Sequence, residues 1–162
     1  LPANPARVPE TPQRIVLTVG LPGSGKSTWL AQRGLPAIST DAIRALLSDD
    51  AANQLIHARV FATVRYLLRQ RLSLGRPVTY IDATHLTRAE RRPYVVLAGW
   101  YACDVEVLFF DVPLAVCLRR NAQRDRIVPE SAIEAMAARL QIPELREGFR
   151  RITRESNSLE EI

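Results

Sequence analysis

Lysine is all but missing from this sequence: its 22 basic residues are 21 arginines and one lysine, Lys26. Cysteine is scarce as well. Cys103 and Cys117 sit singly among apolar neighbours with no metal-ligand spacing, which argues against a disulfide framework or a zinc site. They read as two free thiols in a reducing, cytoplasmic setting. No apolar run approaches the roughly 20 residues of a membrane-spanning helix, so no membrane partner is expected. An Asn-Lys-x-Asp motif is absent, which counts against a guanine-selecting switch, and neither histidine has a serine or cysteine nucleophile beside it. Carboxylates are missing locally. Residues 51–76 carry Arg59, Arg65, Arg69, Arg71 and Arg76 with no acid, and 119–126 carry Arg119, Arg120, Arg124 and Arg126 against Asp125 alone. With a net charge of +5, these clusters point to an anionic partner or to solvated helix faces.

Against that background, Gly20-Leu21-Pro22-Gly23-Ser24-Gly25-Lys26-Ser27-Thr28 stands out. It follows the β-branched run Ile15-Val16-Leu17-Thr18-Val19 and precedes a helix-compatible stretch, the context in which G-x-x-x-x-G-K-[ST] cradles phosphate. Gly23 and Gly25 let the backbone turn its N–H groups into one hollow, and the helix start favours an anion. Gly23, Ser24, Gly25, Lys26, Ser27 and Thr28 are therefore the candidate nucleoside-triphosphate set. Lys26 would reach the β- and γ-phosphates, and the Ser27 hydroxyl would hold Mg2+. A chain with arginine everywhere else keeps its only compact ammonium where a guanidinium fork would crowd the loop.

The remaining pattern alternates strands and helices. Strands are expected near 14–19, 35–39, 77–82 and 105–111, with a further short one near 150–154. Helices are expected near 26–33, 40–47, 51–73, 87–101, 113–122 and 129–140, with Pro93 suggesting that the fourth begins irregularly or near residue 92. Such alternation means a parallel sheet with right-handed crossovers, whose ligands gather at the carboxyl ends of its strands. The layout is a Pro-rich arm or linker over 1–13, one domain over 14–155 and a polar tail over 156–162. The non-methionine start reads as a chain processed or cut from something longer.

Three of those strand ends carry chemistry: the phosphate loop, Asp41 and Asp82. Asp41 and Arg44 lie one helical turn apart and can face one cleft, as phosphoryl transfer to an alcohol requires; Asp41 could also simply cap its helix. Asp82 closes an apolar strand. It could hold Mg2+ through water, bind an acceptor hydroxyl or cap a turn with Thr84. Arg120 and Arg124, four apart, can share one face of a helical lid over the triphosphate, although spacing does not separate them from Arg119 and Arg126. His85 lies close enough to Asp82 to meet substrate. His57 reads as a helix-face or core histidine.

The ordered set resembles the polynucleotide 5′-kinase family, the end-healing kinases of phage, bacterial and metazoan repair enzymes. The resemblance rests on residues 20–28, Ser39-Thr40-Asp41-x-x-Arg44, Ile81-Asp82-Ala83-Thr84, Arg120-Asn121-x-x-Arg124 with Val128-Pro129, and Pro143-Glu144-Leu145-x-Glu147-Gly148-Phe149. It implies an α/β P-loop phosphotransferase with an adenylate-kinase-like parallel sheet, flanking helices and a helical arginine lid. It also implies transfer of the γ-phosphate of ATP, or another nucleoside triphosphate, to the 5′-hydroxyl end of DNA or RNA, with a single-stranded end expected in the arginine-lined cleft. In that scheme Lys26 and Ser27 hold triphosphate and Mg2+, and Asp41 is the general base. Arg44 engages the phosphate flanking the acceptor nucleoside, and Arg120 and Arg124 belong to the lid. Asp82, Thr84 and His85 fall on the substrate side, with His85 where relatives commonly have asparagine. Many relatives carry a fused phosphatase, ligase or other domain, so a partner domain outside this sequence is expected. The alternative is a kinase of a sugar, nucleotide-sugar or antibiotic on the same scaffold; a non-catalytic nucleotide-binding module is the third reading.

Overall fold

The computed structural model describes residues 11–156, so most of the arm and all but the first residue of the tail lie outside the described residues. Five parallel strands form one sheet: β1 (Arg14–Val19), β2 (Ala37–Ser39), β3 (Val78–Asp82), β4 (Asp104–Phe110) and β5 (Arg151–Glu155), in the spatial order β2-β3-β1-β4-β5. Period-two alternation assigns the faces. Ile15, Leu17, Val19, Val105, Val107 and Phe109 join the main core, whereas Val16, Leu108 and Phe110 pack on the opposite face near Trp29. Both faces are covered, as parallel sheets require.

The connecting helices are α1 (Lys26–Gln32), α2 (Thr40–Ser48), α3 (His57–Ser73), α4 (Arg88–Trp100), α5 (Leu114–Ala122) and α6 (Glu130–Arg139). Val60, Val64, Leu68 and Leu72 of α3 and Tyr94, Leu97 and Ala98 of α4 bury together on the main face. Gln13, assigned from sequence to the arm, is buried and donates from Nε2 to the Leu72 and Arg76 carbonyls.

Three expectations are corrected. The long helix starts at His57 rather than 51, because the Asn53 side chain accepts from the Leu55 N–H and sets up a short 3-10 turn over Gln54–Ile56. Leu55, on that turn, is consequently 97% exposed. Helix α4 starts cleanly at Arg88 and carries Pro93 inside it, since Thr87 and Glu90 form a reciprocal capping box that secures the first turn. Finally, α5 ends at Ala122, so Arg124 and Arg126 lie on a loop and not on a helical lid. Buried Asn121 closes that loop: its Nδ2 donates to the Val128 carbonyl at 2.7 Å, and its Oδ1 accepts from the Val128 N–H at 3.0 Å.

Candidate active site

The sheet order carries the site. Because β3 pairs directly with β1, the end of β3 lies beside the loop that follows β1, and the Gly20 N–H donates to the Thr84 carbonyl. In that loop Gly23 has φ +83° and Gly25 φ +94°, a region costly for other residues. A β-carbon on Gly23 would also lie 2.6 Å from the Cys117 carbonyl oxygen, so α5 packs against the loop because this residue has no side chain.

Lys26 is buried at the first position of α1. Its Nζ donates to the carbonyls of Gly20 at 3.0 Å and Leu21 at 2.8 Å. Burial lowers its pKa to about 8, with the Asp82 carboxylate opposing that fall and Arg124 adding to it. The adjacent Ser27 hydroxyl donates to Asp82 Oδ2 at 2.6 Å. This oxygen pair suits Mg2+, which typically takes one or two protein ligands and completes its shell with phosphate and water. Among the described residues there is no cluster of three or more His, Cys, Asp or Glu side chains able to hold a metal.

Asp41 faces the same cleft from the neighbouring strand end. The register Ser39↔Asp82 brings the start of α2 level with the end of β3. Ser39, not Asp41, caps the helix by accepting from the Ala42 N–H, which leaves the Asp41 carboxylate for other partners. Its Oδ1 accepts from Arg44 Nη1 at 3.3 Å and its Oδ2 from Arg126 Nη2 at 3.0 Å, while half of the side chain, 52%, stays exposed. Arg44 is 5% exposed, and its Nε and Arg126 Nη1 are buried without a hydrogen-bond partner. Unpaired guanidinium N–H groups beside a cleft suit an anionic ligand.

A cleft of about 410 Å³ brings most of the candidate residues together: Gly23, Gly25, Lys26, Ser27, Thr28, Asp41, Arg44, Asp82, Thr84, Arg120 and Arg124 line it. Arg120 Nη1 approaches the Gly23 carbonyl at 3.5 Å. Ser24 lies instead in an adjoining hollow of about 380 Å³, which Gly25, Thr28 and Arg120 also line beside Trp29 and Arg33. His85 is the misplaced residue. It is 2% exposed, does not line the cleft, and packs edge-on against Tyr94 with Nδ1 2.7 Å from the Thr18 carbonyl oxygen. Its backbone φ of +44° turns the side chain inward, and burial lowers its pKa to about 4.

Several lining residues escaped sequence reasoning. Arg126 reaches Asp41 only because the Asn121–Val128 clasp folds the loop back, a separation of 85 residues that no local spacing reveals. His57 and Phe61, with ring centroids 4.6 Å apart, line the cleft from the first turns of α3, and their i,i+4 spacing was the available signal. Arg91 is wholly buried, donates to the His85 and Leu86 carbonyls and pairs through Nε and Nη2 with both Glu147 oxygens. It thereby ties the β3–α4 loop, which carries Thr84, to the turn before β5.

Residues 15–143 match a family described as an AAA domain. Among solved structures, a protein from Chloroflexus aurantiacus named as a candidate kinase aligns over 94% of this chain and 92% of its own, at 15% identity and a TM-score of 0.73. A chain of the Pnkp1/Rnl/Hen1 RNA repair complex aligns over 83% of this chain but 46% of its own, at 23% identity and a TM-score of 0.68. The Mycobacterium tuberculosis APS kinase CysC, in complex with AMPPNP and APS, aligns over 91% and 90%, at 20% identity and a TM-score of 0.59. The family match covers most of the chain, which belongs to this AAA-domain family and has the α/β fold of the P-loop kinases.

Proposed function

We propose that this chain is a polynucleotide 5′-hydroxyl kinase, transferring the γ-phosphoryl group of ATP or another nucleoside triphosphate to a 5′-hydroxyl end of DNA or RNA. The observation that carries the reading is Asp41 held between Arg44 and Arg126, lining one cleft with Lys26 and the Ser27–Asp82 pair.

In this reading, the anionic triphosphate draws Lys26 Nζ away from the Gly20 and Leu21 carbonyls toward its β- and γ-phosphates. Ser27 and Asp82 would hold Mg2+, whose charge would offset that of the phosphates. Trp29, Arg33 and Arg120 line the adjoining hollow, where the donor nucleoside fits. Asp41 orients the acceptor hydroxyl and takes its proton. A carboxylate oxygen has lone pairs for more than one donor, so the arginines do not exclude the hydroxyl. The acceptor oxygen bonds to the γ-phosphorus as the bond to the β–γ bridging oxygen breaks, and the nucleoside diphosphate departs with that electron pair. Arg120 and Arg124 supply positive charge near the migrating group.

The acceptor side supports a nucleotide over a neutral sugar. Arg44, Arg126 and Arg139 line it, and Glu90, the carboxylate there besides Asp41, already accepts from Arg139. A phosphate flanking the acceptor nucleoside would answer the charge of the Arg44 and Arg126 guanidinium groups, which a neutral acceptor would leave balanced by Asp41 alone. A small anionic alcohol meets the same arginines and is the second reading, in line with the fold shared with an APS kinase. No helix among the described residues is long and apolar enough to cross a membrane, and the two free thiols suit a reducing cytoplasm. A panel of acceptors incubated with γ-labelled ATP and Mg2+ separates the readings. Label on 5′-hydroxyl oligonucleotides and nucleoside 3′-phosphates is expected. Label confined to a sugar or to adenylyl sulfate would overturn the nucleic-acid assignment.

A further inference from the structure

The arginine-rich stretch 51–76 has a use that the reaction itself leaves open. On α3, His57, Phe61, Arg65 and Arg69 recur every four residues and form one slowly winding stripe. Its first two members line the cleft, and its last two line a separate groove of about 390 Å³ between α3 and α4. Helix α4 supplies the other wall through Arg92, Val96 and Trp100, again four apart. No acidic residue lines this groove. Arg65, Arg69 and Arg92 make no ion pair among the described residues, unlike Arg88 nearby, which is held by Glu144. Trp100 is 70% exposed, with the Arg69 guanidinium 5.9 Å from its ring centroid. An exposed indole beside arginines that make no ion pair, in a groove that no carboxylate lines, matches the stacking platform and charged groove used for single-stranded nucleic acid.

We propose that the groove between α3 and α4 is a track for the single strand that trails from the acceptor nucleotide. This rests on the polynucleotide reading and makes it more specific: an oligonucleotide end is preferred over an isolated nucleotide. His57 and Phe61 meet the bases nearest the cleft, Arg65, Arg69 and Arg92 neutralise successive phosphates, and Trp100 stacks a base at the far end. The stripe from residue 57 to 69 spans roughly 18 Å of helix axis. That accommodates about five stacked nucleotides at ~3.4 Å each, and fewer if the strand is extended.

The test measures kcat/KM, at saturating ATP, for 5′-hydroxyl acceptors from a nucleoside 3′-phosphate to an octanucleotide. Wild-type efficiency is expected to climb with length to about four or five nucleotides and then level off. Trp100→Ala is expected to lower the octanucleotide-to-mononucleotide ratio by about 5- to 150-fold, and Trp100→Phe to restore much of it. Replacing Arg65, Arg69 and Arg92 together with alanine should reduce the salt slope of octanucleotide binding by about 2, at roughly 0.7 per lost phosphate contact. A photoreactive base four or five nucleotides from the end should crosslink to α3 or α4 in the wild type, which tests the track without any variant. Efficiency that is flat from one nucleotide to eight would overturn the track while leaving the kinase reading intact. So would a self-association that Trp100→Ala abolishes without changing length dependence, which would assign the groove to a second copy. Failure of every nucleic-acid acceptor beside a labelled small metabolite would instead remove the polynucleotide reading and the track with it.

Discussion

His85 offers a stability measurement whose size follows from its surroundings. The ring lies beneath the β3–α4 loop, against Tyr94, with Nδ1 on the Thr18 carbonyl and Nε2 buried without a partner. In the unfolded chain an imidazole takes its proton near pH 6.5, whereas burial delays this to about 4 in the folded protein. Between those values the unfolded chain binds more protons, so stability rises with pH across this window and is lost as pH falls through it. At about 1.36 kcal/mol per pH unit, that interval is worth roughly 3 kcal/mol. His85→Asn removes the titration while retaining a residue type that tolerates the φ of +44° and can donate to Thr18. Urea unfolding of both proteins between pH 7 and 4 should show wild type losing about 3 kcal/mol more than the variant, with little further divergence at lower pH. Parallel curves would mean that His85 is not held neutral in the fold.

Two further outcomes concern the cleft. Amine-selective labelling should modify one lysine, Lys26, and ATP with Mg2+ should protect that residue and activity in parallel, as read by peptide mass spectrometry. Modification that ignores nucleotide would place the triphosphate elsewhere. Asn121→Ala removes both clasps to Val128, so Arg126 should lose its approach to Asp41. Turnover should fall by about tenfold or more for the loss of roughly 1–3 kcal/mol of loop-ordering hydrogen bonds, with the thermal midpoint moving only a few degrees.

The outline of this site is legible in the sequence because its parts are local. A glycine loop between a strand and a helix, a carboxylate one helical turn from an arginine, and an acid closing an apolar strand are each recognisable within ten residues. The parallel sheet then forces all three to one edge. What stayed hidden depends on long-range or backbone geometry. Arg126 could not be chosen over Arg119 because the decisive contact is made across the chain, by a loop closed through Asn121. His85 looked like a substrate contact from its nearness to Asp82, but a positive φ at a non-glycine residue is not written in spacing and turned it into the core. The buried Arg91–Glu147 pair joins residues 56 apart and gave no local sign. Asn53 shows the opposite case: the acidic residues just before 51 look like a helix cap and predict a start six residues early, whereas the Asn53 side chain holds the chain in a 3-10 turn until His57.

The most direct test of the account is single-turnover transfer from γ-labelled ATP to a 5′-hydroxyl octanucleotide by the wild type and by Asp41→Asn. The wild type should label the oligonucleotide, and the variant should be slower by about 10²–10⁴ while binding ATP as tightly. Label appearing at the wild-type rate with Asp41→Asn would contradict it.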